Sequence, residues 1–369
     1  MKYKKKLTIL QVLPSLDSGG VERGTIEIAS YLAKKKHNSF VLSKGGRLVN
    51  NLEKNGSTHI QMNIGKKSLF SLLLIPKLIK IFKILDVDIV HARSRFPAWL
   101  VFISLKFIPK KSRPNFVCTV HGFNSISLYS SIMLKGDKVI VVSNAVKKYM
   151  IDNYDVNKSK LNLIYRGVPL NLNINKNSIE YKNWLRNWKK TYPQIQSKKI
   201  LLFPSRLSRH KGVEDFLELI KKLKNINLKV VGLIVGEAKS KNYLDEITRA
   251  IKRLGIQNEI IIVGYSKDIY EIISVSKIVY AIQKVPESFG RIVIESIKIG
   301  TPVIGYNHGG VSEQLSLIFP DGLIDNGDKS KLFNKTLEFL SKKPLVKKTK
   351  KFSLEEMQKK TLKLYESFY

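Results

Sequence analysis

Short apolar runs recur at residues 7–13, 40–42, 87–91, 115–120, 138–142 and 161–164, each flanked by polar or turn residues. Runs of this length predict strands buried on both faces. Between the first two lie a Gly-Gly pair and then Val21 to Ala33, with apolar residues at helical spacing. Strand and helix text therefore alternate, as in a parallel sheet wrapped by helices, and residues 1–170 are expected to form that first domain. From about Pro169 to Ser197 the text turns to Asn, Lys and isolated aromatics such as Trp184 and Trp188, which predicts a linker or peripheral helix over 171–198. A second series at 200–203, 227–235, 259–263, 277–281 and 301–304, with helical stretches at 213–223 and 243–254, predicts a second sheet of the same type over 199–352. Ser353 and Glu356 stand in the capping-box arrangement and open a terminal helix over 353–369. No short-period repeat or coiled-coil heptad interrupts this order. The expected fold class is α/β: two Rossmann-like doubly wound domains facing a cleft, with a C-terminal helix. Ligands of such sheets bind outside the carboxyl ends of the strands, so functional residues should lie just after strands.

Composition narrows the picture. A chain of 369 residues, 43% hydrophobic and 25% charged, is neither disordered nor collagenous. A single cysteine, Cys118, leaves no intrachain disulfide and makes a reducing compartment the default. The opening residues 1–6 are basic, but the apolar run after them meets Pro14 and Ser15 without a small-residue cleavage site, so no signal peptide is expected. The longest greasy stretch, 96–108, carries Lys106 and falls short of the roughly 20 residues of a spanning helix.

The net charge of +36 is unusual, and it is spread: 29 basic against 9 acidic residues in 1–170, and 36 against 20 in 171–369. It fits either the lysine bias of an A+T-rich genome or an affinity for an anionic surface. Clustered arginine with interleaved aromatics is absent, so no nucleic acid is expected as partner. Residues 68–85 place Lys77, Lys80 and Lys83 three apart among apolar residues. Such a segment can lie in an anionic membrane interface, or pack on the first sheet with its lysines in water.

Several loops after strands carry candidate chemistry. Gly19 and Gly20 precede a helix N-terminus, where glycine permits close backbone approach and free N–H groups suit an anion; a plain tight turn has the same sequence. The spacing matches neither the dinucleotide fingerprint nor the P-loop, which disfavours NAD binding and ATP cleavage. His121, before Gly122, ends the run 115–120 and could face the cleft or be structural; His91 is a second candidate. Asp86-Val87-Asp88 has the D-x-D form of some metal sites but leads into a strand instead of ending one, and is read as structural. Arg206 and Lys211 follow the run 200–203 in a chain with only 12 arginines, and suggest a cradle for a dianion, or else a solvated basic loop.

The strongest signal is 285–296, with Glu287 and Glu295 eight apart around Ser288, Phe289 and Gly290. A helix beginning near Phe289 would put Glu295 about 9 Å along its axis. Glu287 could then accept hydrogen bonds from sugar hydroxyls and Glu295 from a ribose diol, with a diphosphate near the positive helix end. The alternative, two solvated glutamates, does not explain Glu295 lying between Ile294 and Ile297. Gly309 and Gly310, after 301–304, offer further backbone donors.

On these residues the chain resembles glycosyltransferase family 4, the retaining GT-B enzymes of group 1, over nearly its whole length. Glu287 to Glu295 reproduces the E-x7-E motif with Phe289-Gly290 inside it. Gly300-Thr301-Pro302-Val303-Ile304, Gly309-Gly310 and Glu313 match the segment that follows it, and Arg206 and Lys211 match the diphosphate-binding pair. His121 falls where the family has its active-site histidine, and Gly19-Gly20 occupies its N-terminal glycine loop. Tyr265 after Val263-Gly264 departs from the family pattern near the base and names no nucleobase.

The resemblance implies a retaining, metal-independent transfer from a nucleotide-sugar donor to a hydroxyl of a glycan or lipid-linked acceptor, in cell-surface polysaccharide or lipopolysaccharide synthesis. His121, Glu287, Arg206 and Lys211 would be catalytic. Gly19, Gly20, Ser288, Phe289, Gly290, Glu295, Gly309 and Gly310 would join Arg206 and Lys211 in binding the donor. No cofactor is implied, the nucleotide-sugar being a co-substrate. The expected place is the cytoplasm, peripheral on the inner face of the cell membrane. A GT-B sugar-nucleotide epimerase would need the same donor site without an acceptor groove, and a non-catalytic basic nucleic-acid-binding protein would need neither.

Overall fold

A computed structural model describes residues 6–17, 19–170, 172, 174–238 and 240–369. Residues 1–5 of the basic opening, Ser18 of the first glycine loop, and Asn171 and Asn173 of the segment between the sheets lie outside the described residues. The chain divides into two compact units, Met1–Gly167 with Leu354–Tyr369, and Val168–Ser353.

The first unit is built on seven strands, β1 (Thr8–Val12), β2 (Asn38–Ser43), β3 (Thr58–Gln61), β4 (Ile89–Ala92), β5 (Asn115–Val120), β6 (Lys138–Val141) and β7 (Leu161–Leu163). They are parallel and lie in the order β3-β2-β1-β4-β5-β6-β7. The central strands are apolar throughout because helices cover both faces: β1 is buried at every position. Edge strand β3 has the sequence Thr-His-Ile-Gln and no fully buried residue, so no apolar run announces it.

The terminal helix Leu354–Glu366 belongs to this unit. Met357, Leu362, Leu364 and Tyr365 join Leu7, Ile9, Ile28 and Ile89 in one buried cluster. The Tyr365 hydroxyl is hydrogen-bonded to His91 Nδ1 at 2.6 Å, and Thr119 Oγ1 to His91 Nε2 at 2.6 Å.

The second unit repeats the plan with β8 (Lys199–Phe203), β9 (Val230–Val235), β10 (Ile260–Gly264), β11 (Ile278–Ala281), β12 (Val303–Tyr306) and β13 (Leu323–Ile324). They are parallel in the order β10-β9-β8-β11-β12-β13. β13 is two residues long and shows no sequence pattern. The stretch read as a linker or peripheral helix contains the helix Ile179–Thr191, capped by Ser178 and bound into this unit's core through Trp188. Tyr181, Trp184, Trp188 and Tyr192 form a ladder of ring contacts along it, with Trp184 and Trp188 stacked at 5.4 Å.

In both sheets the strand order reverses beside the first strand of the unit, between β1 and β4 and between β8 and β11. Loops leaving the carboxyl ends of neighbouring strands part there and leave a crevice, the usual ligand position of doubly wound sheets.

Candidate active site

In the second unit, three loops leave the carboxyl ends of β8, β11 and β12 and converge. The first carries Lys211 and turns at Gly212, which has φ 81°. A Cβ at Gly212 would fall 1.9 Å from the Ile282 carbonyl oxygen, so only glycine lets this turn pass against the end of β11. Lys211 Nζ then donates to Glu287 Oε1 at 3.1 Å, while Gln283 Nε2 donates to Glu287 Oε2 at 2.7 Å. Both charged side chains are about a quarter exposed. Two residues 76 positions apart, each a separate candidate from sequence, thus form one partly exposed ion pair at the carboxyl end of the sheet.

The Gly309-Gly310 turn supports this arrangement. A Cβ on Gly309 would meet the Glu287 carbonyl oxygen at 2.7 Å, and one on Gly310 the Cα of Phe289 at 2.5 Å. The Gly310 N–H donates to the Glu287 carbonyl at 2.6 Å, so this donor, expected to be available to a ligand, is spent on holding the loop. Phe289 is buried edge-on against Phe352, and its carbonyl accepts from Gln314 Nε2. The aromatic ring is therefore core, and the loop's ligand-facing groups are Glu287 and Ser288, both partly exposed.

Gly290, at φ 78°, caps a helix that runs from Arg291 to Ile299. It starts two residues later than Phe289 because a left-handed residue cannot continue backward as helix. Glu295 consequently lies about 6 Å along the axis, not 9 Å. It is 5% exposed, which excludes the solvated-glutamate alternative. Its Oε1 accepts from the Tyr270 hydroxyl at 3.2 Å and pairs with Arg291 Nε at 3.4 Å. Arg206 is exposed, and its guanidinium makes no hydrogen bond or ion pair among the described residues. Tyr265, after β10, is 63% exposed.

In the first unit, Gly19 has φ 139° and caps the helix Gly20–Lys34. His121 follows β5 and is half-buried, with Nε2 fully buried and without a hydrogen-bond partner. Burial, and then the charges of Arg93 and Arg166, hold its imidazole well below the ordinary histidine pKa, so the ring is neutral.

Both arginines escaped the sequence reading. Arg93, after β4, donates to Gln11 Oε1 at 2.7 Å. Arg166, after β7, donates to the Gly20 carbonyl at 2.6 Å and lies 3.9 Å from Glu27. A Cβ on Gly24 would fall 1.7 Å from Arg166 Nη2, so that glycine opens the helix face to the guanidinium. Scarce arginine placed just after a strand, the signal that singled out Arg206, would have found both.

His91 leaves the list of candidates: it is fully buried, both ring nitrogens are partnered, and burial followed by the Arg93 charge keeps it neutral. Asp88 Oδ2 accepts from the Thr8 N–H at 2.8 Å, tying the amino ends of β4 and β1 together as a structural residue does. Cys118 is buried, and burial pushes its thiol well up.

Residues 18–172 match the model of "Glycosyltransferase Family 4" and residues 186–356 that of "Glycosyl transferases group 1". The structure is similar to that of a glycosyltransferase from Rickettsia africae, with TM-score 0.86 and 35% identity over 98% of both chains. It is also similar to Anabaena HepE in complex with UDP-glucose, with TM-score 0.82 and 20% identity over 98% of this chain and 100% of that one. N-acetyl-alpha-D-glucosaminyl L-malate synthase of Bacillus anthracis is 23% identical over 94% of this chain and 89% of that protein. The chain spans between 41% and 89% of the length of the curated relatives it matches.

Proposed function

The chain belongs to the family 4, group 1 glycosyltransferases, and from that premise we propose that it moves a sugar from a nucleotide-sugar to a hydroxyl of a glycan or lipid-linked acceptor, with retention and without a metal ion. Cell-surface polysaccharide or lipopolysaccharide synthesis in the cytoplasm is the setting that suits this chemistry. The carrying observation is the Lys211–Glu287 pair. One ammonium donor is taken by Glu287, and the remaining donors are free to neutralise a departing diphosphate, with Arg206 beside them in sequence. Glu287 keeps lone pairs for sugar hydroxyls, and Glu295 accepts from the ribose diol. UDP-glucose in the Anabaena relative supports a donor of this class.

In the transfer, the bond from the anomeric carbon to the diphosphate oxygen breaks and one to the acceptor oxygen forms on the same face. The acceptor's proton passes to the leaving phosphate. A neutral His121 supports the sugar or phosphate by a hydrogen bond. Incubation with candidate nucleotide-sugars and a lipid-linked acceptor should release nucleoside diphosphate only when acceptor is present, and EDTA should leave the rate unchanged. Loss with EDTA and recovery with magnesium or manganese overturns the metal-free reading. Conversion of the nucleotide-sugar without acceptor makes the protein an epimerase.

The first unit, which the family resemblance makes the acceptor-binding domain, also fits an acidic bilayer. Among the described residues no helix is long and apolar enough to cross a membrane. The helix Leu74–Ile84 buries Leu78 and Phe82 and leaves Lys77, Lys80 and Lys83 exposed, which is the packed alternative. The turn before it, Leu69–Leu73, does the opposite: Leu69, Phe70 and Leu73 are 85%, 79% and 70% exposed. Leu128, 87% exposed, belongs to a neighbouring segment joined to this one at Tyr129, whose ring lies under both Lys67 and Arg95. Exposed apolar side chains ringed by cations suit shallow insertion among anionic headgroups. Sedimentation with acidic vesicles should pull the protein down at low salt and release it as salt rises, and Leu69→Ser/Phe70→Ser should bind more weakly. Equal binding to neutral vesicles, or none to either, removes the membrane from the proposal.

A further inference from the structure

The six-stranded sheet has a cavity at the end opposite the Lys211–Glu287 pair. Ile200 is the second residue of β8 and Lys277 immediately precedes β11, and around them lies a cavity of about 740 Å³, a volume ordinary for a small-molecule site. Five residues of β8 separate this end from the loop that carries Lys211, roughly 16 Å of strand. Its floor is apolar: Trp188, Ile195 and Ile200 are each less than a tenth exposed. The indole is fixed by its stack on Trp184, 15° from parallel.

The rim is cationic. Lys176, Lys189, Lys198, Lys277 and Lys343 line the cavity, and no Asp or Glu does. Lys176 and Lys198 are aimed by backbone carbonyls, donating to Ser274 at 2.7 Å and Asn258 at 2.9 Å. Burial, then the charges of Lys343 and Lys277, pull the Lys176 ammonium below the usual lysine value. None of the five has a carboxylate partner among the described residues. Other lysines of the same unit do find one, as Lys329 does with Glu218 at 2.7 Å and Lys335 with Glu338 at 2.7 Å. With 65 basic residues against 29 acidic ones an unpaired lysine is common in this chain; what marks these five is that they gather around one apolar floor.

We propose that this cavity is a second ligand site, for a soluble phosphorylated molecule whose two or more phosphoryl charges are held by Lys176, Lys277 and Lys343 while its apolar part lies on Trp188 and Ile195. Its distance from the Lys211–Glu287 pair leaves the donor position open when it is filled. Lysine serves as a point charge here, so the site selects for charge number more than for the orientation of one phosphate.

Calorimetric titration with inorganic diphosphate at low salt tests this on the full chain in an Arg206→Ala/Lys211→Ala background, which silences the donor cradle. One binding event should remain. Adding Lys277→Ala/Lys343→Ala should weaken it at least tenfold without lowering the melting temperature, whereas Lys331→Ala/Lys335→Ala, removing two charges elsewhere on the unit, should leave it intact. The proposal is overturned if the Lys277/Lys343 variant binds diphosphate as its parent does, or if the Lys331/Lys335 variant loses as much. Binding to phosphatidic-acid vesicles but not to soluble diphosphate overturns it too, because the lysines would then be reading a lipid surface.

Discussion

Lys211→Ala is expected to lower turnover by about a hundredfold or more, the usual range when one preorganised donor to a developing charge is removed. Two losses coincide in this variant. The departing diphosphate loses its ammonium, and among the described residues Glu287 keeps only Gln283 as a partner on its carboxylate. Both are felt more in the transition state than in the ground state, so kcat should fall while the apparent affinity for acceptor changes little. Lys211→Arg keeps the charge but replaces a flexible point donor with a planar fork, and should recover only part of the rate. A Lys211→Ala protein retaining more than a tenth of wild-type turnover would take Lys211 out of the chemistry.

Glu295→Ala should act on binding instead. A hydrogen bond to a charged group contributes roughly 1.5–3 kcal/mol, so affinity for the nucleoside diphosphate alone should drop about ten- to a hundredfold. Because Glu295 is buried against Tyr270 and Arg291, alanine also removes one interaction from each of them. Glu295→Gln controls for that, since it retains the shape and one acceptor while removing the charge. Calorimetry on both variants, with melting curves to establish folding, decides the matter: unchanged affinity in a folded Glu295→Ala protein removes this carboxylate from the ribose role.

Central strands were legible because burial on both faces makes them continuous apolar text, as in Ile-Leu-Leu-Phe of β8. β3 and β13 were not, the one being a polar edge strand and the other only two residues long. Glu287, Lys211 and Gly309-Gly310 could each be picked out singly, since turn glycines and loop charges leave local marks. Their convergence, and the loss of the Gly310 N–H to the Glu287 carbonyl, depend on how three strands are ordered, and no window of sequence contains that. His91 shows the same limit from the other side. Its partner Tyr365 lies 274 positions away, so a histidine after an apolar run looked like a site residue when it is a clamp.

That clamp bears on biosynthesis. The first unit's buried cluster of Leu7, Ile9, Ile28 and Ile89 is completed by side chains of Leu354–Glu366, and the ribosome must make all of Val168–Ser353 before it reaches them. At about 5–20 residues per second, the first sheet waits about nine seconds or more with part of one apolar face uncovered and His91 lacking its tyrosine. The second unit has no such wait, because all of its strands come from one continuous stretch of chain. The half of the enzyme synthesised first is therefore the half that finishes folding last, and it is the half a chaperone would have to shield.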